Sequence, residues 1–217
     1  MDRRGAIIGL TLALLAPGFA HAADKLPMKL GKVFPYLDKY LAIPPDQRNH
    51  FALGYVIQLN GKPATGVNAA ILEADGRRTP LPINAEGWVT RLPTAAQLAT
   101  ASFTADAPPN PDFGVHMRIS PALPPAQEYN PRDLELAVTQ ANAGMDRVAG
   151  VMRFAVPNLV GVSFPGAGTG KARLADGREA PLPVAAGAPY YDPKLLAGAT
   201  KIMLAKAPTR LMFKDNK

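Results

Sequence analysis

The chain has 217 residues, 24 of them basic and 17 acidic, giving a formal charge of +7, and it contains no cysteine. The missing thiol excludes disulfides, thiolate metal sites, thiol catalysis and a lipid-anchored cysteine together, so core burial has to hold the fold. The basic excess is diffuse, with no run of four lysines or arginines and no basic stripe interleaved with aromatics, which argues against nucleic acid as a partner.

In chain order, the first segment reads as an address. Arg3 and Arg4 precede a short apolar run at residues 7–15, and Ala20-His21-Ala22 offers the small residues that a signal peptidase reads. Cleavage after Ala22 is expected, leaving 195 residues with 22 basic and 16 acidic, a charge of +6, in the periplasm. The apolar run is shorter than the roughly 20 residues of a membrane helix, and no later segment approaches that length. Residues 23–49 predict one short helix with Phe34, Tyr36, Leu37, Tyr40 and Leu41 on a face, ended by Pro44-Pro45.

Residues 50–125 read as a first β unit. Phe51, Leu53, Tyr55, Ile57 and Leu59 alternate strictly, the mark of a strand with one buried face, and Asn60-Gly61 then signals a hairpin. A second strand is expected to end at Leu72, with Asp75-Gly76 turning the chain. Pro80-Leu81-Pro82 cannot donate to a central ladder and belongs on an edge. Residues 94–100 predict an Ala-rich turn of helix. Residues 102–105 and the alternating Phe113, Val115, Met117 and Ile119 predict a closing hairpin whose loop carries Pro108, Pro109 and Pro111.

Residues 126–150 carry the clearest helix. Asn130 suits the N-cap, Pro131 the first helical position and Asp133 the positive first turn. Leu134, Val138, Ala141, Met145 and Val148 make one apolar stripe, and Gly150 is the natural stop. Residues 151–217 then repeat the β unit. Met152, Phe154 and Val156 alternate, as do Val160, Val162 and Phe164. A turn at Asp176-Gly177, a short helix at 194–199 and a closing hairpin from residues 202–205 and 211–213 follow.

The repetition is visible residue by residue. Residues 72–83 align with 173–184, 101 positions on, with seven of twelve pairs identical, among them Asp75/Asp176, Gly76/Gly177 and Arg77/Arg178. After a one-residue slip the match resumes at Gly87/Gly187 and continues through Thr100/Thr200 and Ala105/Ala205. The expected fold is therefore mainly β (β-rich α+β): two tandem related small β-sheet units joined by one amphipathic helix.

Catalytic constellations are scarce. Residues 164–171 resemble a phosphate-binding loop, but Pro165 stands where glycine is needed and Ala172 where the metal-binding hydroxyl is needed, so the stretch reads as a flexible turn shortening a hairpin. Ser163 is not in a nucleophile elbow, and the only candidate bases beyond the leader are His50 and His116, both expected at the surface. No spacing suggests a metal site, and no cofactor is expected. Asp75 and Asp176 precede glycine in tight turns, where aspartate serves the backbone. Arg77 and Arg178 follow those turns and are candidates for a paired anion site. Trp88, the sole tryptophan, is a candidate groove residue, with Tyr190-Tyr191 as aromatics near the matching place, against the plainer reading of core.

The run at residues 132–136, the run from Met145 through Pro157, and Gly161-Val162-Ser163-Phe164 resemble a family of secreted proteobacterial proteins catalogued as domain of unknown function 2987. The order of the β-hairpin, Gly87-Trp88-Val89, Leu92-Pro93 and Leu98 is also similar, so the resemblance covers most of the chain beyond residue 22. Some members carry cysteines in the first unit, which this chain lacks, so no shared disulfide transfers, and the resemblance implies no activity or site residues.

The expectation is a non-catalytic envelope binding or assembly factor, with an envelope protein or an anionic envelope component as partner, no nucleic acid, no transmembrane segment and no lipid anchor. The alternatives are an envelope hydrolase using a carboxylate pair on peptidoglycan or polysaccharide, and a periplasmic enzyme inhibitor.

Overall fold

The computed structural model describes residues 26–106, 112–149 and 157–216, so the expected signal peptide, the Pro108–Pro109–Pro111 loop, Gly150 and the Met152, Phe154, Val156 alternation lie outside the described residues. The fold is β-rich, with fifteen strands in four antiparallel sheets among the described residues. The chain divides into two compact units, one of residues 26–44 and 53–118 and the other of 45–52 and 119–216.

In the first repeat β1 (Met28–Lys29) leads into α1 (Leu30–Val33) and α2 (Leu37–Leu41). The single helix expected here is broken in two. Pro35 lacks a backbone donor and pushes Phe34 out of the helical region, and Tyr36 then takes a φ of +64°. β2 (Phe51–Leu59) follows, with Leu53, Tyr55 and Ile57 buried and Gly54, Val56 and Gln58 on the opposite, half-exposed face, as the alternation requires. Asn60 and Gly61 both have positive φ in the two-residue turn to β3 (Lys62–Pro63).

β4 (Ala69–Leu72) and β5 (Arg78–Pro80) form a hairpin around Asp75-Gly76, with β5 at the sheet edge. Thr94 caps α3 (Ala95–Thr100) in a reciprocal box with Gln97. β6 (Ser102–Ala105) pairs with β4 and β1, whereas β7 (Phe113–Pro121) belongs to the other sheet, in the order β3-β2-β7. The closing hairpin expected from the sequence is thus corrected to a crossover between sheets. The reason is that each strand finds its apolar partner elsewhere, and Phe103 of β6 meets Phe113 of β7 edge to face at 5.6 Å.

The second repeat reproduces this order. β8 (Glu128–Tyr129) precedes α4 (Pro131–Ala149), capped as expected by Asn130, whose side chain accepts from Arg132 N. β9 (Leu159–Ser163), β10 (Gly170–Leu174), β11 (Glu179–Pro181), β12 (Val184–Ala185), β13 (Ala188–Tyr191), β14 (Ala199–Leu204) and β15 (Met212–Asp215) complete it. The sheets β8-β14-β10-β11 and β1-β6-β4-β5 have the same order, and α4 stands in the second repeat where α1 and α2 stand in the first. Asn142 fixes α4 to β9 by bonding both backbone groups of Leu159. Here too the closing hairpin is corrected: β14 pairs with β10 and β8, while β15 pairs with β9.

Two differences from the sequence reading, and the one-residue slip already visible in it, have a local cause. Residues 193–198 form successive turns rather than a helix, because Gly198 takes a φ of +78° and ends the coil before a full turn repeats. The β6/β14 register is one residue shorter than the Ala105/Ala205 match implies. Phe103 faces Ile71 and Ile202 faces Ala172, all four buried, and a one-residue slip would have turned them outward. The earlier slip sits in a turn: Ala186-Gly187 is a two-residue connection with φ of +49° and +76°, where the first repeat has one residue more.

Candidate functional site

Trp88 is half-buried and lies on the outward face of the sheet β3-β2-β7, not in the core. It pairs with Val56 across an isolated bridge, so its side chain shares the face of Gly54, Val56 and Gln58. The six-membered ring fills the space above Gly54. A methyl group added there would stand 2.8 Å from Cζ3 and 3.3 Å from Cε3. The backbone on either side is already bonded. Trp88 N donates to Asn84 Oδ1 at 2.8 Å, Trp88 O accepts from Asn84 N at 2.9 Å, and Val89 N donates to Tyr55 O at 2.9 Å. On the same face the ring Nε2 of exposed His116, on β7, lies 2.8 Å from Gln58 Oε1.

The sequence reading set Trp88 beside Tyr190-Tyr191, and the structure corrects that. Thr90 N donates to Pro82 O in the first repeat and Tyr190 N to Pro183 O in the second, so Tyr190 corresponds to Thr90 and Trp88 to Ala188. Tyr191 is core. Its hydroxyl donates to Glu135 on α4 at 2.7 Å, and burial, reinforced by that carboxylate, pushes the phenol well above its ordinary range. Gly54 and Gln58 were not read as site residues. A glycine inside a nine-residue alternating strand was the available signal, since it marks a place where something else approaches the backbone.

Arg77 and Arg178 stand at the exposed tips of the β4–β5 and β10–β11 hairpins, one in each unit. Each tip is built alike: Asp75 and Asp176 accept from the backbone N of Arg77 and Arg178 at 2.9 and 3.0 Å, and Gly76 and Gly177 both have φ of +84°. Arg178 Nε reaches Asp176 Oδ2 at 2.6 Å, whereas Arg77 Nη1 stays 4.0 Å from Asp75. The Arg178 backbone N–H, followed by its guanidinium, holds the Asp176 carboxyl below the usual carboxylate range. Such exposed pairs steady a turn and contribute little to stability.

The other candidate chemistry is dispersed. His50 bonds its neighbour Asn49 through Nδ1 at 2.7 Å, and its backbone N donates to Gln140. Ser163 sits in β9, paired with Tyr190 and Met212. Among the described residues no group of three histidines or acids is placed to hold a metal. Buried Asp192 accepts from Lys194 N at 2.8 Å and opens the turns that follow, and buried Asp215 pairs with Lys214. The glycine-rich stretch 164–171 is not a flexible hairpin turn. It crosses from β9 to β10 in another sheet, buries Ala167, and is pinned by Thr209 N on Pro165 O at 2.9 Å and by Ala205 N on Thr169 O at 3.0 Å.

Among the described residues no helix is long and apolar enough to cross a membrane. No family model matches the chain, and no curated protein or solved structure shows significant similarity to it, so these comparisons do not bear on the resemblance noted in the sequence.

Proposed function

We propose that the protein is a non-catalytic binding or assembly factor of the bacterial envelope, exported to the periplasm. The observation that carries this reading is the outward face of the first repeat, where an aromatic ring is laid over a glycine instead of being packed away. A half-exposed tryptophan on the same sheet face as two polar side chains is a recognition surface: it offers apolar area at low entropic cost, with hydrogen-bonding groups farther along the face. The apolar leader with its Ala20-His21-Ala22 site supports export, and the resemblance to a secreted family fits the same compartment. A partner is then an envelope protein or an anionic envelope component, the latter favoured by the diffuse positive charge.

The test is capture from envelope extract by the exported, affinity-tagged chain, washed at low and then high salt. A protein or glycan retained through high salt and lost with Trp88→Ala supports recognition by this face. Material released by salt alone assigns binding to charge. Hydrolysis of cell-wall substrate by the purified chain would overturn the non-catalytic reading.

A further inference from the structure

We propose that Trp88, Gln58 and His116 form a shelf that binds an oligosaccharide; this rests on the binding reading above and names its ligand class. The frame does not require the tryptophan. The second repeat closes the same turn with Ala188. Val89, which donates to Tyr55 O, corresponds to Pro189, which accepts from Phe164 N, so Gly54 corresponds to Ser163. The first repeat thus has a glycine and a large ring where the second has a serine and an alanine. Tryptophan and its glycine seat occur together on one face of one repeat, and the fold closes without them in the other.

A pyranose ring has an apolar face of C–H bonds, polarised toward a π cloud, and a rim of hydroxyls or amides. The half-exposed Trp88 ring over Gly54 offers the first contact. When His116 Nε2 donates to Gln58 Oε1, the Gln58 amide N–H groups and His116 Nδ1 are left to donate to and accept from the hydroxyls of a neighbouring sugar, since Gln58 lies four residues along β2 from Gly54, about 13 Å. An extended peptide would instead look for a strand edge, and none is open at Trp88. Its N and O are both bonded to Asn84, Gly87 O accepts from Ile57 N, and Val89 N is held by Tyr55 O.

The sole tryptophan makes the test direct. The full chain is titrated with a β-1,4-linked N-acetylglucosamine tetrasaccharide, with maltotetraose, and with a short uncharged peptide, following Trp88 emission. A saturable change with a saccharide and none with the peptide is expected. The Gln58→Ala/His116→Ala double variant, which alters only half-exposed and exposed positions, should weaken binding about tenfold, as two lost hydrogen bonds imply. Calorimetry should find no saccharide binding to Trp88→Ala, with the far-ultraviolet spectrum of both variants unchanged. No saturable response to either saccharide through the millimolar range overturns the proposal, as does full affinity in the double variant. If envelope capture depends on Trp88 while both saccharides fail, the ligand class is wrong and the binding reading stands. If capture is indifferent to Trp88, the shelf itself is refuted.

Discussion

The two repeats share a frame and differ on one face, and that difference separates what holds the protein together from what is free to serve recognition. The Asp-Gly-Arg hairpin tips match in hydrogen bonds and in φ, the pairings Ala70↔Pro80 and Lys171↔Pro181 occupy one register, and Leu81 and Leu182 donate back to Ala69 and Gly170 at 2.9 Å in both. These features bury apolar area and satisfy backbone groups, so any copy of the unit needs them. Divergence collects where the frame is indifferent. The helical segment is a pair of short coils in one repeat and a 19-residue helix in the other. The first repeat lays Trp88 over Gly54 on its outward face, whereas the second has a buried Ala188 in place of the ring and half-exposed Ser163, paired with Tyr190, in place of the glycine.

The largest effect is expected at Gly161, a buried position of β9 where the first repeat, by the equivalence of Gly54 with Ser163, has Ala52. A methyl group there would stand 2.1 Å from Tyr191 O and 3.0 Å from Tyr191 C, both backbone atoms, so no rotamer relieves it. Gly161→Ala should cost about 3 kcal/mol or prevent folding of the second repeat, read as a lowered denaturant midpoint. Gly54→Ala meets a side chain instead, and the ring can move. A loss of about 1–2 kcal/mol is expected, with a shift in tryptophan emission, and the loss should largely vanish in a Trp88→Ala background. A penalty that survived loss of the ring would show that Gly54 serves the backbone and not the tryptophan.

Tyr191→Phe removes the bond to Glu135 and should cost about 1 kcal/mol at neutral pH. The sign of its pH effect follows from a phenol raised in the fold by burial. Its contribution is complete below the ordinary value of about 10 and is lost as pH rises toward the folded value, because only the unfolded chain ionises there. The variant should therefore show a shallower alkaline loss of stability than the parent. An unchanged alkaline limb would mean that Tyr191 ionises as readily folded as unfolded.

Much of this frame was legible in the sequence because it is written in local rules. The Asn60-Gly61 turn, the β2 alternation, the Asn130 cap and the Asp-Gly tips each follow from residue type and spacing. What escaped was pairing at a distance. Residues 102–105 and 113–119 look like two arms of one hairpin, yet they join different sheets, since alternation says which face a strand buries and not which neighbour it takes. The equivalence of α4 with α1 and α2 was hidden too, because only position in the topology carries it. The site was half legible: tryptophan is conspicuous by type, but its seat on Gly54 and the Gln58–His116 pair depend on strand order.

The smallest expected effect lies in the acid limb, and it belongs to the second repeat. Asp176 is held below its usual value by the Arg178 backbone and guanidinium, and Glu179 by hydrogen bonds from Lys171 at 2.6 Å and Arg173 at 3.2 Å. Carboxyls lowered in the fold contribute stability above their unfolded values near 4, and lose it as pH falls through the lower folded values. Both groups are exposed, so solvent and salt screen most of the gain. Asp176→Asn and Glu179→Gln should slightly flatten the loss of stability below pH of about 4, and added salt should erase the difference. A large effect that persisted in high salt would mean that these carboxylates are far less exposed than the hairpin geometry makes them, and the β10–β11 tip would then be a built contact instead of a solvated turn.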